Sequence, residues 1–239
     1  MANFFINFFI YVFYQPLLNG LVFLYKLLGF NLGLAIITLT LIIRIILLPI
    51  SIKALRYERS LLNLRDKIKE IQTKYKNNKE EQARKILELY QKEKVNPFFP
   101  LLINLIQLPI LWGLYEVFRK GLTPDSFFYL YPSISPPLEI HSSFLGVFDL
   151  SKPSPFLAVF AGIVHYLQSL FFSKTFSKQH PPTTSKKELD FSTIFQKQLL
   201  YFLPLLIAII LFSLPSALAL YWTINSFFSI IQQYLTPRK

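Results

Sequence analysis

The stretch NLGLAIITLTLIIRIILLPI, residues 31–50, decides how the chain must be read. A bilayer-spanning helix needs about 20 apolar residues at about 1.5 Å rise each, and this stretch supplies them while also carrying Arg44. A lone arginine near the centre of such a helix costs on the order of 3 kcal/mol on insertion scales. Two explanations fit. Arg44 snorkels to the nearer surface as an anchor, or it faces a wet cavity inside a helix bundle and acts there.

The surrounding composition is that of an all-α, polytopic membrane protein. The 239 residues are 53% hydrophobic and 17% aromatic, with mean hydropathy +0.41, far from a soluble average. A net charge of +12 raises nucleic acid as a partner, but the basic residues are confined to a few places. Of the 25, thirteen lie between Lys53 and Lys94, five between Lys174 and Lys197, and two at the C-terminus, a pattern of loops on one side of a membrane rather than of a DNA-binding face. Cysteine is absent, and His, Asp and Glu are too scattered for a metal site, so thiol chemistry and metal centres are excluded. Without a Gly-rich phosphate loop or a catalytic set, neither a cofactor nor an enzymatic reaction is expected. Met1 to Tyr25 contains no Lys or Arg, which argues against a cleaved secretory signal.

Working outward from residues 31–52, the first span, residues 1–30 read as an interfacial amphipathic helix on the outer surface. Leu17, Leu21, Phe23/Leu24 and Leu28 recur at helical spacing beside Lys26. The alternative is that Phe4–Phe23 itself spans, against which stand Pro16 and Gly20. Beyond the first span, residues 53–95 read as an antiparallel helical hairpin in water. Leu61, Leu64, Ile68, Ile71 and Tyr75 form one stripe and Ala83, Ile86/Leu87 and Tyr90 a second, around a polar turn where Asn78 and Glu81 resemble a capping box.

Residues 97–118 form a second span containing Asn104 and Gln107, and 119–152 a neutral, exposed Pro/Ser-rich loop. Residues 153–173, with Gln168, are the third span, followed by a basic loop at 174–197. The spans at 198–213 and 216–235 are separated only by a tight turn, and residues 236–239 form a basic tail. Five spans result. The positive-inside rule places the 53–95 hairpin, the 174–197 loop and the tail in the cytoplasm, giving an N-out, C-in protein. Arg44 has no acidic partner in any predicted span. Thr40 lies one turn before it, and Asn104, Gln107, Gln168, Tyr221, Trp222 and Asn225 supply polar groups elsewhere, a set that suggests a hydrated groove.

Three motifs carry a family resemblance: GLAIITLTLIIRIILLPISIKAL at 33–55, NP with QLPILWGLYEVF at 96–118, and LPSALALYWTINSFFSIIQQY at 214–234. With the basic hairpin between the first two, the chain resembles the YidC family of membrane protein insertases, which includes the mitochondrial Oxa and chloroplast Albino proteins. The match covers nearly the whole chain. Phe98-Phe99-Pro100 departs from the family's usual turn after the NP. The resemblance implies a five-helix transmembrane bundle around a hydrophilic groove, open to the cytoplasm and to lipid, in the plasma (inner) membrane of a bacterium. Arg44 would be the groove's cation, Thr40 and Gln168 its lining, and Tyr221 and Trp222 its aromatic wall. It implies nascent membrane proteins as substrates, the lipid bilayer as the receiving phase and the ribosome as a partner, with the protein working alone or beside a Sec translocon. The competing reading is a small anion transporter or channel using Arg44, but no internal repeat of the kind common in transporters is present. A purely structural scaffold would make Arg44 dispensable.

Overall fold

The computed structural model describes residues 2–120, 123–177, 202 and 204–236. Helix begins at once: α1 (Ala2–Phe9), a π-helical turn (Ile10–Tyr14) and α2 (Gln15–Leu27) follow one another without a break. Pro16 does not interrupt the run because it sits at the start of α2. The π turn in front of it, closed by the Gln15 N–H on the Ile10 carbonyl, loosens the ladder its ring would otherwise strike. The helix stops at Gly29, whose φ of 70° lets the Phe30 N–H return to the Tyr25 carbonyl (2.8 Å).

The Arg44 stretch belongs to α3 (Leu32–Asn63), which runs past residue 52 through Pro49 and ends well inside the segment expected to form the hairpin. After Leu64 come α4 (Arg65–Lys74) and α5 (Lys79–Lys92). They run antiparallel, tied by Lys67–Glu93 (2.7 Å) and by Gln82 Nε2 donating to the Gln72 carbonyl (2.9 Å). Asn78 Oδ1 caps α5 by accepting from the Glu81 N–H (3.1 Å). The Glu81 carboxylate turns instead to Arg84 and Lys85, so only half of the predicted capping box forms. Ile86 and Tyr90 of the expected stripe are half-buried, but Ala83 and Leu87 are exposed and Leu89 takes their place.

α6 (Phe99–Lys120) covers most of the residues expected to form the second span. The chain then forms α7 (Pro124–Phe127) and an antiparallel ribbon, β1 (Ser143–Phe144) with β2 (Phe148–Asp149). α8 (Pro155–Ser177), a described helical segment at 204–211, here α9, and α10 (Ser216–Leu235) complete the order. The 174–197 loop beyond residue 177, the start of the fourth span and the end of the tail lie outside the described residues. Three helices among the described residues are long and apolar enough to cross a membrane: Phe4–Leu27, Leu32–Asn63 and Pro155–Phe172.

The chain divides into two compact units, residues 1–46 with 108–239, and residues 47–107. In the first, α8 packs on α10. Ala158, Ala161 and Val164 on one helix and Ala217, Leu218 and Tyr221 on the other are buried, and the small residues let the helices approach closely. Gly162 has the same effect toward α9, where an added Cβ would come within 2.8 Å of the Ala208 Cβ.

The 119–152 segment is more ordered than its sequence pattern predicts, because distant residues hold it. Asn19 and Tyr25 of α2 bond its backbone at Tyr129, Tyr131, Glu139 and His141. The ribbon is tied to three helix starts. Phe144 lies on Gly33, where any Cβ would sit 1.9 Å from the ring. Phe148 stacks on Phe156 at 5.6 Å. The Ser216 and Ala217 N–H groups donate to the Lys152 and Leu150 carbonyls (2.9 and 3.0 Å).

Asp149 organises this junction. Its carboxylate accepts from the Ser151 hydroxyl (2.5 Å), the Ser142 hydroxyl (2.7 Å) and the Ser151 N–H (3.1 Å), and it pairs with Lys152 (3.1 Å). These donors, the Ser151 hydroxyl foremost, hold its pKa well below the ordinary carboxylate value. A depressed pKa contributes stability that is full above the unfolded value, about 3.9, and is lost as pH falls through the folded value. Amide protection across 143–152, corrected for intrinsic exchange, is therefore expected to hold from neutrality to about pH 4 and to decline below it. Asp149→Asn should lower protection at pH 7 and flatten the acid dependence. An unchanged acid limb in that variant would assign the effect elsewhere.

Candidate functional site

Arg44 sits on α3 one turn after Thr40, surrounded along its own helix by Ile42, Ile43, Ile45 and Ile46. Its acceptors come from α10. Nε donates to Asn225 Oδ1 (2.5 Å), and Nη2 to Ser229 Oγ (3.1 Å) and, at longer range, to the Asn225 carbonyl (3.4 Å). Asn225 and Ser229 are one turn apart, so they present both acceptors on one helix face. Ser229 Oγ also donates to the Asn225 carbonyl (2.9 Å), which orients its lone pairs toward the guanidinium. The Phe228 ring lies 5.9 Å from the Arg44 Cζ, within cation–π range.

Every one of these partners is neutral. Glu116, on α6, is engaged by Arg119 (3.0 Å) and Lys120 (3.5 Å). Among the described residues no acidic group pairs with Arg44, and its positive charge is solvated by dipoles.

A second polar set lies on the adjacent face of α10. His165 Nδ1 is 3.1 Å from Gln168 Oε1 and 3.4 Å from Ser226 Oγ, and the Trp222 ring stands edge-on to the imidazole at 6.2 Å. His165 Nε2 is buried and makes no hydrogen bond among the described residues.

Of the residues expected to share one groove, Arg44 and Asn225 meet directly, and Gln168 and Trp222 meet through His165. The hydrogen bonds of the two groups are separate, with α10 contributing to both. Thr40 is 2% exposed, and its hydroxyl donates to the Ile36 carbonyl (2.6 Å). Tyr221 is buried one turn before Asn225 on α10, near enough to Arg44 to interact with it electrostatically. Gln107 is half-buried on α6 at the edge of the second unit, and Asn104 lies on the same helix. Ser226 and Ser229, with His165, were not among the expected site residues. The usable signal was the spacing of Ser229 from Asn225 and of Ser226 from Trp222, four residues in each case.

The chain matches the family model described as 60Kd inner membrane protein over residues 23–239. Three curated relatives, each named Membrane protein insertase YidC, are similar along most of it. That of Fusobacterium nucleatum is 33% identical over 211 residues, covering 87% of this chain and 87% of the relative. That of Endomicrobium trichonymphae is 33% identical over 219 residues, 92% of this chain and 38% of the relative. That of Wolinella succinogenes is 35% identical over 226 residues, 94% of this chain and 37% of the relative. The chain therefore spans well under half the length of the last two.

Proposed function

The chain belongs to the YidC/Oxa family of membrane proteins, and from that premise we propose that it is a membrane protein insertase and chaperone, acting without covalent chemistry in a bacterial inner membrane. The observation that carries this reading is Arg44, held in an apolar helix by the neutral acceptors Asn225 and Ser229. A charge so held attracts an acidic residue in a substrate's polar tail. A hydrated groove around it shortens the apolar distance that the tail must cross. Once the tail has crossed, burial of the substrate's own apolar segment drives it sideways into lipid.

The proposed arrangement has five spans, 31–52, 97–118, 153–173, 198–213 and 216–235, with Thr40, Arg44, Asn104, Gln107, Gln168, Tyr221, Trp222 and Asn225 lining the groove. The bonds from Asn19 and Tyr25 to the 119–152 loop support an outer, interfacial position for α2. The α4–α5 pair lies in the cytoplasm, where thirteen basic against seven acidic residues between Lys53 and Lys94 favour anionic headgroups. It receives the nascent segment there, delivered by the ribosome directly or beside a Sec translocon.

In liposomes holding only this protein, a single-span substrate with an acidic tail is expected to become protease-protected in proportion to the protein present, without nucleotide. Protection no greater than in empty liposomes would overturn the reading. Anion flux in the absence of any peptide would instead favour a transporter.

A further inference from the structure

The tip of the β1–β2 ribbon conflicts with ordinary turn chemistry. Leu145 and Gly146 both have positive φ, 53° and 69°, and the Val147 N–H closes the turn on the Phe144 carbonyl (3.2 Å). The register pairs Phe144 with Phe148 and leaves Leu145, Gly146 and Val147 in the loop; a turn with two successive positive φ values favours Asn-Gly, because Asn tolerates the left-handed conformation and solvates the exposed turn. Here leucine occupies the strained position. Its side chain is 72% exposed and that of Val147 is 77% exposed. No charged residue occurs from Ser142 to Phe148.

The location of the tip explains the choice. The base of the ribbon is fixed to the starts of α3, α8 and α10 through Gly33, Phe156, Ser216 and Ala217. Along α8, Phe156, Phe160, Ile163 and Leu167 are exposed at helical spacing, forming one apolar stripe on a helix long and apolar enough to cross the membrane. Phe148 stacks on Phe156, the first residue of that stripe, so the apolar surface continues from the span onto the ribbon and out to Val147 and Leu145.

We propose that this tip is a lipid-contacting element. Leu145 and Val147 seat in the headgroup–acyl boundary of the leaflet at the N-terminal ends of α3, α8 and α10, and the occupant of this surface is bilayer lipid. The polar groups at the base, His141 and Asp149, stay in the headgroup layer while the tip points toward the acyl chains. The ribbon thereby fixes the depth at which the three helix starts sit. The inference rests on α8 crossing the bilayer and is independent of how substrates are handled.

The absence of cysteine makes the test direct. Val147→Cys, Leu145→Cys, Ile163→Cys and Glu139→Cys variants of the full chain are spin-labelled in vesicles of phosphatidylethanolamine and phosphatidylglycerol. Collision with oxygen, which partitions into lipid, is compared with collision with a water-soluble nickel chelate. The oxygen-to-nickel ratio at Val147 should shift to the side of Ile163 and away from Glu139, with Leu145 giving a second measure should one variant misfold. Tip labels that read as Glu139 does, while Ile163 reads as lipid, would overturn the proposal and leave α8 as a span. An aqueous reading at Ile163 would overturn the span as well. Shielding of the tip from both reagents that is relieved by diluting the protein in lipid would indicate contact between copies, and would also overturn it.

Discussion

Arg44→Ala is expected to lower insertion of a single-span substrate with an acidic tail by about tenfold. That corresponds to about 1.4 kcal/mol, within the attraction of two unit charges at several ångströms in a partly hydrated site. A substrate with a neutral tail should be affected much less, because the field of Arg44 acts only on charge. Arg44→Lys should keep most of the activity. An ammonium keeps the charge and can still reach Asn225 or Ser229, although not both with the planar fork that now serves them. Arg44→Gln separates the two roles, since it can still bond α10 without a charge. Gln should therefore resemble Ala in insertion assays. Activity near wild type in Gln but not in Ala would mean that Arg44 works by tying α3 to α10, and equal insertion by Ala and wild type would sink the charge mechanism.

Arg44 and Asn225 were legible in the sequence because a cation and an amide stand out in apolar helices. Ser226 and Ser229 were not, since serine is unremarkable in a membrane helix and its role depends on how α10 is rotated against its neighbours. Thr40 lies one turn before Arg44, but a hydroxyl in a helix readily bonds the carbonyl one turn back, and here it does so. Gln168 pairs with His165, three residues before it on α8, a contact that helical spacing itself provides.

The fold divides along the same line. Local signals located the start of α5 through Asn78, and the apolar run of α10 through its length. The 119–152 segment has no periodicity of its own, so its order could not be read from it; its ties reach back to α2 and α3 and forward to α8 and α10. Pro16 suggested a weak point, but its effect depends on helix position, and at the start of α2 it is well accommodated.

Asn19 is the residue on which that long-range order most depends, and replacing it with alanine is expected to destabilise the protein by about 2–4 kcal/mol. Its side chain is 2% exposed and uses both ends of the amide. Nδ2 donates to the Gln15 carbonyl (2.7 Å) and the Tyr129 carbonyl (2.9 Å), while Oδ1 accepts from the Tyr131 N–H (2.7 Å). Alanine would remove the partner of two loop groups at once, and a buried donor or acceptor left unpaired costs about 1–3 kcal/mol. In a chain of this size the loss corresponds to a fall in melting temperature of about 5–12 °C, measured in detergent micelles. Asn19→Asp keeps the acceptor for Tyr131 but brings a negative charge against the Tyr129 carbonyl, so it should not rescue. The loss should be local before it is global, with protease cleavage between 128 and 141 appearing below the melting temperature, because the loop is then held to α2 by Tyr25 through Glu139 and His141 and by the exposed Lys26 ammonium through Ser135. A variant that melts within a degree or two of wild type, with the loop still protected, would mean that the Tyr25 bonds and the ribbon's ties suffice and that the Asn19 amide is not the principal fastening.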